Sequence, residues 1–324
     1  MLELPIRKND SGQRLDKFLA KALSGMPLPM IYRLIRQKKI KLNRKRTEPS
    51  AILAEGDTVL VFAPPRFTEQ NAKTSPVFPQ SDPDVLYEDE NILVLFKPEG
   101  MLVHEGNGEK PEGVTLISLV TGYLYRKGQY RPEEERSFAP ALANRIDRNT
   151  CGLVLAAKNA AALRALDEAI RERRITKKYL CVVHGVPAPA SGSYRNYLLK
   201  NEKTKTVAVF DENPPKNAKE ARTDYRVLAA GKRFSLVEAE LYTGRTHQIR
   251  AQFAHAGHPL LGDGKYGETR EDRKLGYRSQ ALCSYYLRFC EMPEPLEDLN
   301  GKEIAVPEEK IPFFADYRAR LEKE

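Results

Sequence analysis

Residues 144–158 read NRIDRNTCGLVLAAK, and residues 244–267 read GRTHQIRAQFAHAGHPLLGDGKYG. In the first stretch Asp147 stands between Arg145 and Arg148, in a short polar segment that runs into an apolar strand, Leu153 to Ala157. Nearby cations favour the ionised form of a carboxylate. An ionised carboxylate can serve as nucleophile, base or charge stabiliser. A loop ion pair that merely fixes a turn has the same spacing. In the second stretch Arg245 and Arg250 flank Thr246, His247 and Gln248. Arginines beside Thr and Gln suit phosphate or carboxylate contacts, although a polar strand–turn–helix held by internal hydrogen bonds reads alike. His247, His255, His258 and Asp263 raise the question of a metal. Their spacing is not a zinc pattern, so no metal is expected.

Between these stretches, Tyr179 in KKYL enters a strand that runs to Val183. The ring could pack, stack on a base or move a proton. Asp84 to Tyr87 and Ile92 to Phe96 predict a hairpin, followed by a turn at 97–100. Residues 105–113 and 126–140 read as irregular. A helix is expected over 160–173 with Leu163, Leu166 and Ile170 inward, a loop over 200–220, and strands at Tyr225–Leu228, Ser235–Leu241 and Ala281–Phe289. Strands and helices do not alternate regularly, which disfavours a doubly wound parallel sheet. The expectation is an α+β chain. It has a mixed, mainly antiparallel central sheet with flanking helices, and a small N-terminal α/β domain. No glycine-rich phosphate loop occurs, so no nucleotide cofactor is indicated.

The charge is concentrated at one end. The chain of 324 residues carries 53 basic and 44 acidic residues, a net +9. Thirteen basic and six acidic residues fall in the first 62, so +7 of the total lies there. A concentrated basic surface points to a polyanion, most commonly nucleic acid. Leu15, Phe18, Leu19, Ala22 and Leu23 form one apolar stripe, predicting a helix over 12–24 capped by Asp10 or Ser11. A second helix is expected from Pro29. It leads through Lys38 and Lys39 to a strand, then to the basic turn Arg44–Lys45–Arg46, with another strand at Thr58–Phe62. Prolines 64, 65, 76, 79 and 83 mark a boundary. The domains expected are 1–65, a linker 66–83, and 84–324. Apolar runs are too short to cross a bilayer, and the N-terminus lacks a signal peptide's apolar stretch. Four cysteines without a C-x-x-C pair suit a reduced, cytoplasmic protein.

At these residues the sequence resembles the RluA family of pseudouridine synthases. Residues 84–104 (DVLYEDENILVLFKPEGMLVH) resemble its opening strand pair with the Lys-Pro-x-Gly turn. Residues 144–158 resemble its catalytic segment, usually close to HRLDRDTSGLLLFAK. Residues 176–185 (TKKYLCVVHG) resemble the segment carrying its tyrosine, 219–228 (KEARTDYRVL) a strand before the last motif, and 244–267 that motif. The stretch RLDKFLAKALSGMPLPMIYRLIRQKKIKLNRKR resembles the small S-four-type RNA-binding domain. Together they resemble the branch acting on large-subunit ribosomal RNA.

The resemblance implies a pseudouridine synthase fold and isomerisation of uridine to pseudouridine in large-subunit ribosomal RNA or its precursor particle. It implies a monomer with no cofactor. It makes Asp147 the catalytic aspartate, Tyr179 the ring that stacks on uracil and a candidate for taking its carbon-5 proton, and Arg250 the partner of the aspartate. Arg145 falls beside the flipped-out base, and Arg245, Thr246 and His247 line up with the same motif. Lys38, Lys39, Arg44 and Arg46 are the expected RNA contacts of the N-terminal domain. Asn144, Ile146, Asn149, Cys151, Gln252 and Cys283 depart from the family's usual residues, and this bears on the contacts around the target nucleotide. Three alternatives are an RNA-binding ribosome-assembly factor with little catalysis, a synthase acting on transfer RNA, and a metal-dependent nuclease using His247, His255 and His258.

Overall fold

The segments ILVLFK at 92–97 and CGLVLAA at 151–157 are buried at every position. Strands of that kind need cover on both faces, and they form the middle of a large sheet. The computed structural model describes residues 1–64, 67, 77–104, 113–267 and 270–321.

The N-terminal unit has four strands, β1 (Leu2–Pro5), β2 (Ile40–Leu42), β3 (Lys45–Arg46) and β4 (Thr58–Val61), in the order β1-β4-β2-β3. Helices α1 (Leu15–Ala22) and α2 (Leu28–Arg36) share one core with it, centred on Phe18, Leu19, Ile31 and Ile40. The predicted helix over 12–24 is shorter than expected. Gly12 and Leu15 donate their backbone N–H groups to Leu53 and Ala51, so this stretch is paired with a neighbouring loop before the helix begins. Asp10 does not cap it, because its carboxylate accepts the Ser137 hydroxyl instead.

The second sheet contains β5 (Asp84–Glu88), β6 (Ile92–Lys97), β7 (Ala141–Leu142), β8 (Cys151–Ala157), β9 (Ile175–His184), β10 (Ser191–Asn201), β11 (Thr206–Phe210), β12 (Lys219–Ala230), β13 (Phe234–Leu241), β14 (Leu282–Phe289) and β15 (Glu303–Ala305). Its order is β11-β10-β12-β13-β9-β14-β8-β6-β5, with β7 on β8 and β15 on β14. Only β8 and β14 run parallel among the described strands. The mainly antiparallel sheet expected from the sequence is therefore present. Helices α3 (Leu116–Arg126) and α5 (Gln248–His255) cover one face. Helix α4 (Ala160–Arg171) covers the other. Ile146 packs against the clusters under both α3 and α5, which seats the Asp147 loop between them.

Three local expectations are corrected. Residues 200–220 are not a loop: β10 runs to Asn201, β11 fills 206–210 and β12 starts at Lys219. The polar residues of this ribbon alternate with few buried ones, chiefly Asn196 and Leu198 on β10, so the apolar period is faint. Helix α3 was not anticipated. Its Thr115 cap accepts the Ser118 N–H (3.3 Å), and Leu116, Leu119, Val120 and Leu124 are buried. Strand β1 was likewise missed, being only four residues long. Of the expected linker, only Phe67 and residues 77–83 are described, and of the expected irregular stretch 105–113 only Gly113 is; the remainder lie outside the described residues. Pro79 and Ser81 carbonyls accept from Arg126, which also pairs with Asp82.

The N-terminal unit rests on the large one. Asn9 donates to Glu135 (2.6 Å) and accepts the Ala160 N–H (3.2 Å), while Gln13 donates to the Ser137 hydroxyl (2.7 Å). No helix of the described residues is long and apolar enough to cross a membrane.

The parallel β8–β14 pair depends on one glycine. Gly152 has φ +119°, and a Cβ there would collide with the Ser284 backbone. Gly152→Ala should cost about 2–4 kcal/mol through strain and overpacking. A thermal melt checks this; an unchanged melting temperature would show that the pair tolerates a side chain.

Candidate active site

Seven of the residues singled out from sequence meet in one cavity. Asp147, Tyr179, Arg250, Arg145, Arg245, Thr246 and His247 all line a cleft of about 510 Å³. Leu102, Val103, Ile146, Leu241, Ile249 and Leu282 give it apolar walls. Lys38, Lys39, Arg44 and Arg46 lie elsewhere, exposed on the N-terminal unit.

Asp147 sits in the turn before β8, where the Thr150 N–H donates to its carbonyl (3.1 Å). Its Oδ2 accepts from Arg250 Nη1 (2.8 Å). No hydrogen bond to Oδ1 occurs among the described residues, so one oxygen is tethered and the other is open. Arg250 enters from α5 and is nearly buried. Its Nε and Nη2 donate to both oxygens of Asp263 (2.7 and 2.8 Å). A bidentate pair of this kind fixes the guanidinium plane. Burial opposes the Arg250 charge, but the hydrogen bonds and charges of Asp263 and Asp147 outweigh it and push the pKa up. Asp263 is fully buried.

His247 precedes α5 in the left-handed region (φ 51°), uncommon for a residue with a Cβ though less so for histidine. Its Nε2 lies 3.8 Å from Asp147 Oδ2. Its Nδ1 lies 2.8 Å from the Tyr266 hydroxyl, which itself accepts the Val207 N–H (2.8 Å). The hydroxyl can give its own proton to Nδ1, and in that tautomer the neutral ring carries its proton on Nε2, facing Asp147. Burial pushes the His247 pKa down, which keeps the ring neutral at pH 7.

Tyr179 on β9 is buried beside the cavity. Burial, with the Asp147 charge adding to it, pushes its phenol up to about 12. His104 also lines the cleft, its imidazole pushed down by burial and by Arg145.

Behind the cleft, the fully buried Lys97 ammonium donates to the carbonyls of Pro98 (2.8 Å), Met101 (3.0 Å) and Arg148 (2.9 Å). Gly100 and Arg148 exchange two further bonds of 3.0 Å. The Asp147 turn is thereby clamped to the 97–101 turn. Burial lowers the Lys97 pKa to about 8. Asn144 steadies the same turn from β8, accepting the Leu155 N–H (2.7 Å).

Most departures from the resembled pattern fall behind the cavity. Gln252 is buried and bonds Thr223 (2.6 Å) and Asn196 (2.9 Å). Cys151 and Cys283 are buried partners on β8 and β14. Ile146 alone of the six lines the cleft. The three histidines do not converge. His255 meets Asp211 (2.8 Å), and His258 meets the His184 carbonyl (3.0 Å). No group of three or more potential metal ligands occurs among the described residues.

Sequence reasoning missed Asp263 as the anchor of Arg250 and missed Tyr266; it noted Asn144 only as a departure and Lys97 only as part of a turn. Asp263 and Tyr266 do stand in the quoted motif, thirteen and sixteen residues after Arg250. Only the fold shows that they return to it.

A mainly antiparallel sheet thus carries a carboxylate–guanidinium pair in a basic, partly apolar cleft. The RNA pseudouridylate synthase family profile matches residues 91–255, and the S4 domain profile matches 13–59. The ribosomal large subunit pseudouridine synthase C of Escherichia coli (strain K12) is 37% identical over 290 residues, covering 87% of this chain and 85% of its own. That of Yersinia pestis is 35% identical over 297 residues, covering 88% and 87%. The solved human RNA pseudouridylate synthase domain containing 1 aligns with a TM-score of 0.55 at 25% identity, over 74% of this chain and 89% of that one. The human domain containing 4 shares the fold, with a TM-score of 0.58 at 23% identity over 74% and 93%. The chain belongs to the RNA pseudouridylate synthase family. It is an RNA pseudouridine synthase, an isomerase of uridines in RNA, with an N-terminal S4 domain.

Asp263→Asn removes the charge that fixes Arg250 while keeping its shape. The expected result is a single-turnover rate lower by about a hundredfold, from a misplaced Asp147, with RNA affinity unchanged. Rapid-quench turnover beside equilibrium binding checks it; a rate near wild type would show that Arg250 needs no anchor.

Proposed function

We propose that this enzyme isomerises specific uridines of large-subunit ribosomal RNA or its precursor particle, with Asp147 as the catalytic group. The substrate rests on the names of the Escherichia coli and Yersinia pestis relatives. One observation carries the catalytic assignment: Asp147 has one oxygen tied to Arg250 and the other open to the cavity.

The reaction breaks the bond from ribose C1′ to uracil N1 and makes one from C1′ to C5. A proton leaves C5 and one is gained at N1, so nothing external is consumed. The target nucleotide must leave its stack, at a cost of about a few kcal/mol. Arg145 stands exposed at the rim, where it can fill the gap left by the flipped base. Arg245 and Thr246, also exposed, face the flanking sugar–phosphate. The open oxygen of Asp147 reaches the ribose, where it attacks carbon or takes a proton. His247 offers its Nε2 proton beside it. Tyr179 and the apolar walls hold the detached uracil while it turns. A phenol pushed up to about 12 stays protonated at neutral pH. Tyr179 therefore accepts the C5 proton only as its own proton passes on.

The S4 domain, which we delimit as 1–65 ahead of a linker 66–83 and a catalytic domain 84–324, supplies the electrostatic grip. Lys38, Lys39, Arg44 and Arg46 are exposed, and no ion pair neutralises them among the described residues. Free thiols at Cys151, Cys181, Cys283 and Cys290 suit the reduced cytoplasm, where we place the protein as a monomer.

Tritium release from ribosomal RNA labelled at uridine C5 tests the reading. Wild type should release tritium, undiminished by chelator, and Asp147→Asn should release none while binding RNA normally. Release by the variant would remove Asp147 from the chemistry. Release by neither protein would favour a binding factor or a different RNA.

Neutralising Lys38, Lys39, Arg44 and Arg46 together should weaken binding across RNA sequences. It should also flatten the salt dependence by about one unit of slope for each phosphate left without its cation. An unchanged slope in a salt titration would place the RNA elsewhere.

A further inference from the structure

A second concavity, of about 530 Å³, lies on the S4 domain between α2 and the 46–49 turn. Tyr32, Ile35, Arg36, Arg46, Thr47, Glu48 and Pro49 line it. Tyr32 is 40% exposed although its hydroxyl is fixed. That hydroxyl donates to Asp16 Oδ2 (3.1 Å). Asp16 is itself buried and locked by Arg14, whose Nε and Nη2 donate to its two oxygens (3.1 and 2.7 Å), and by the Lys17 N–H (2.8 Å). The ring is thus held by its hydroxyl and stays partly exposed beside the concavity. No ring or cation packs against it among the described residues. Leu28, Tyr32 and Arg36 succeed one another four residues apart, so apolar, aromatic and cationic side chains form one ridge of α2. Arg36 and Arg46 are exposed and unpaired among the described residues.

We propose that this concavity is a subsite for one unpaired RNA nucleotide. Its base stacks on the face of Tyr32, and Arg36 and Arg46 hold the phosphates on either side. The proposal rests on the reading that the basic domain binds RNA, and it adds recognition of an unstacked base to a grip by charge alone. Stacking on an aromatic is tolerant of sequence because every base has a π-face. A paired duplex cannot use it, because its bases are already stacked on one another. Glu48 on the rim can accept a base N–H. The tether to Asp16 pre-sets the ring, so little side-chain freedom is lost on binding. The S4 domain thereby selects RNA that carries a bulge or loop near the target uridine.

The full-length protein is titrated against two hairpins identical except for one bulged 2-aminopurine. Tyr32→Leu should bind the bulged hairpin about tenfold more weakly and the paired one as wild type does. Its salt slope should not change, because stacking releases no counterions. Quenching of the 2-aminopurine should be lost in Tyr32→Leu and kept in Tyr32→Trp, which also guards against a misfolded domain. Turnover at saturating RNA should be unaffected. Arg36→Gln with Arg46→Gln should instead weaken both hairpins and flatten the slope. Equal affinities of Tyr32→Leu and wild type for the bulged hairpin, or equal losses on both hairpins, would overturn the subsite and leave the RNA-binding reading standing. Arginine variants that bind both hairpins like wild type would overturn the phosphate contacts of the subsite, whereas an unchanged salt slope on neutralising Lys38, Lys39, Arg44 and Arg46 together would overturn the RNA-binding reading itself.

Discussion

The active site depends on one guanidinium shared by two carboxylates. Arg250 is held by a fully buried acid, Asp263, and in turn holds Asp147 at the edge of the cleft. A buried charge is costly unless every partner is in place, and losing one partner leaves the others stranded. The arrangement therefore has little freedom: Asp263 sets the plane of Arg250, and Arg250 sets which oxygen of Asp147 is tied and which is free. The Asp147 turn must close on α5 and the turn after it, 103 residues further along the chain at Arg250, for this to form. The close β8–β14 approach at Gly152 and the Lys97 clamp hold the Asp147 turn, and α5, which starts after His247, carries Arg250.

The cleft and the concentrated positive charge are separated in the structure. The cleft is small, partly apolar and lined by groups whose protons are assigned by burial and by hydrogen bonds. It suits one nucleotide. Most of the chain's net positive charge, +7 of +9, lies in the N-terminal fifth, on a domain fastened to the large one through Asn9, Asp10 and Gln13. A surface of that charge attracts polyanions at long range, and the short-range geometry of the cleft belongs to the sheet.

Much of this was legible in the sequence for identifiable reasons. Asp147, Tyr179 and Arg250 stand in short motifs whose order along the chain is distinctive, and all three line the cleft. The strands at 92–96 and 153–157 were plain because a continuous apolar run bounded by turns has few other uses. The ribbon from 191 to 210 was not, because its two polar faces leave only Asn196, Leu198 and Val207 buried near its centre, too few for a period. Asp263 was visible only as an acid near histidines, a grouping whose spacing excludes a zinc pattern. Its real partner is thirteen residues earlier, and only the turn after α5 brings them together. Lys97 gave no sign of burial, since nothing in a sequence shows that three backbone carbonyls will surround an ammonium.

The central claim is that Arg250 acts as a two-sided fork and not simply as a positive charge. Arg250→Lys keeps the charge but cannot bridge Asp263 bidentately and Asp147 at once. The measurement is its single-turnover rate of tritium release at saturating RNA. The account predicts a rate lower by about a hundredfold with RNA affinity unchanged. A lysine variant that turns over like wild type would contradict it.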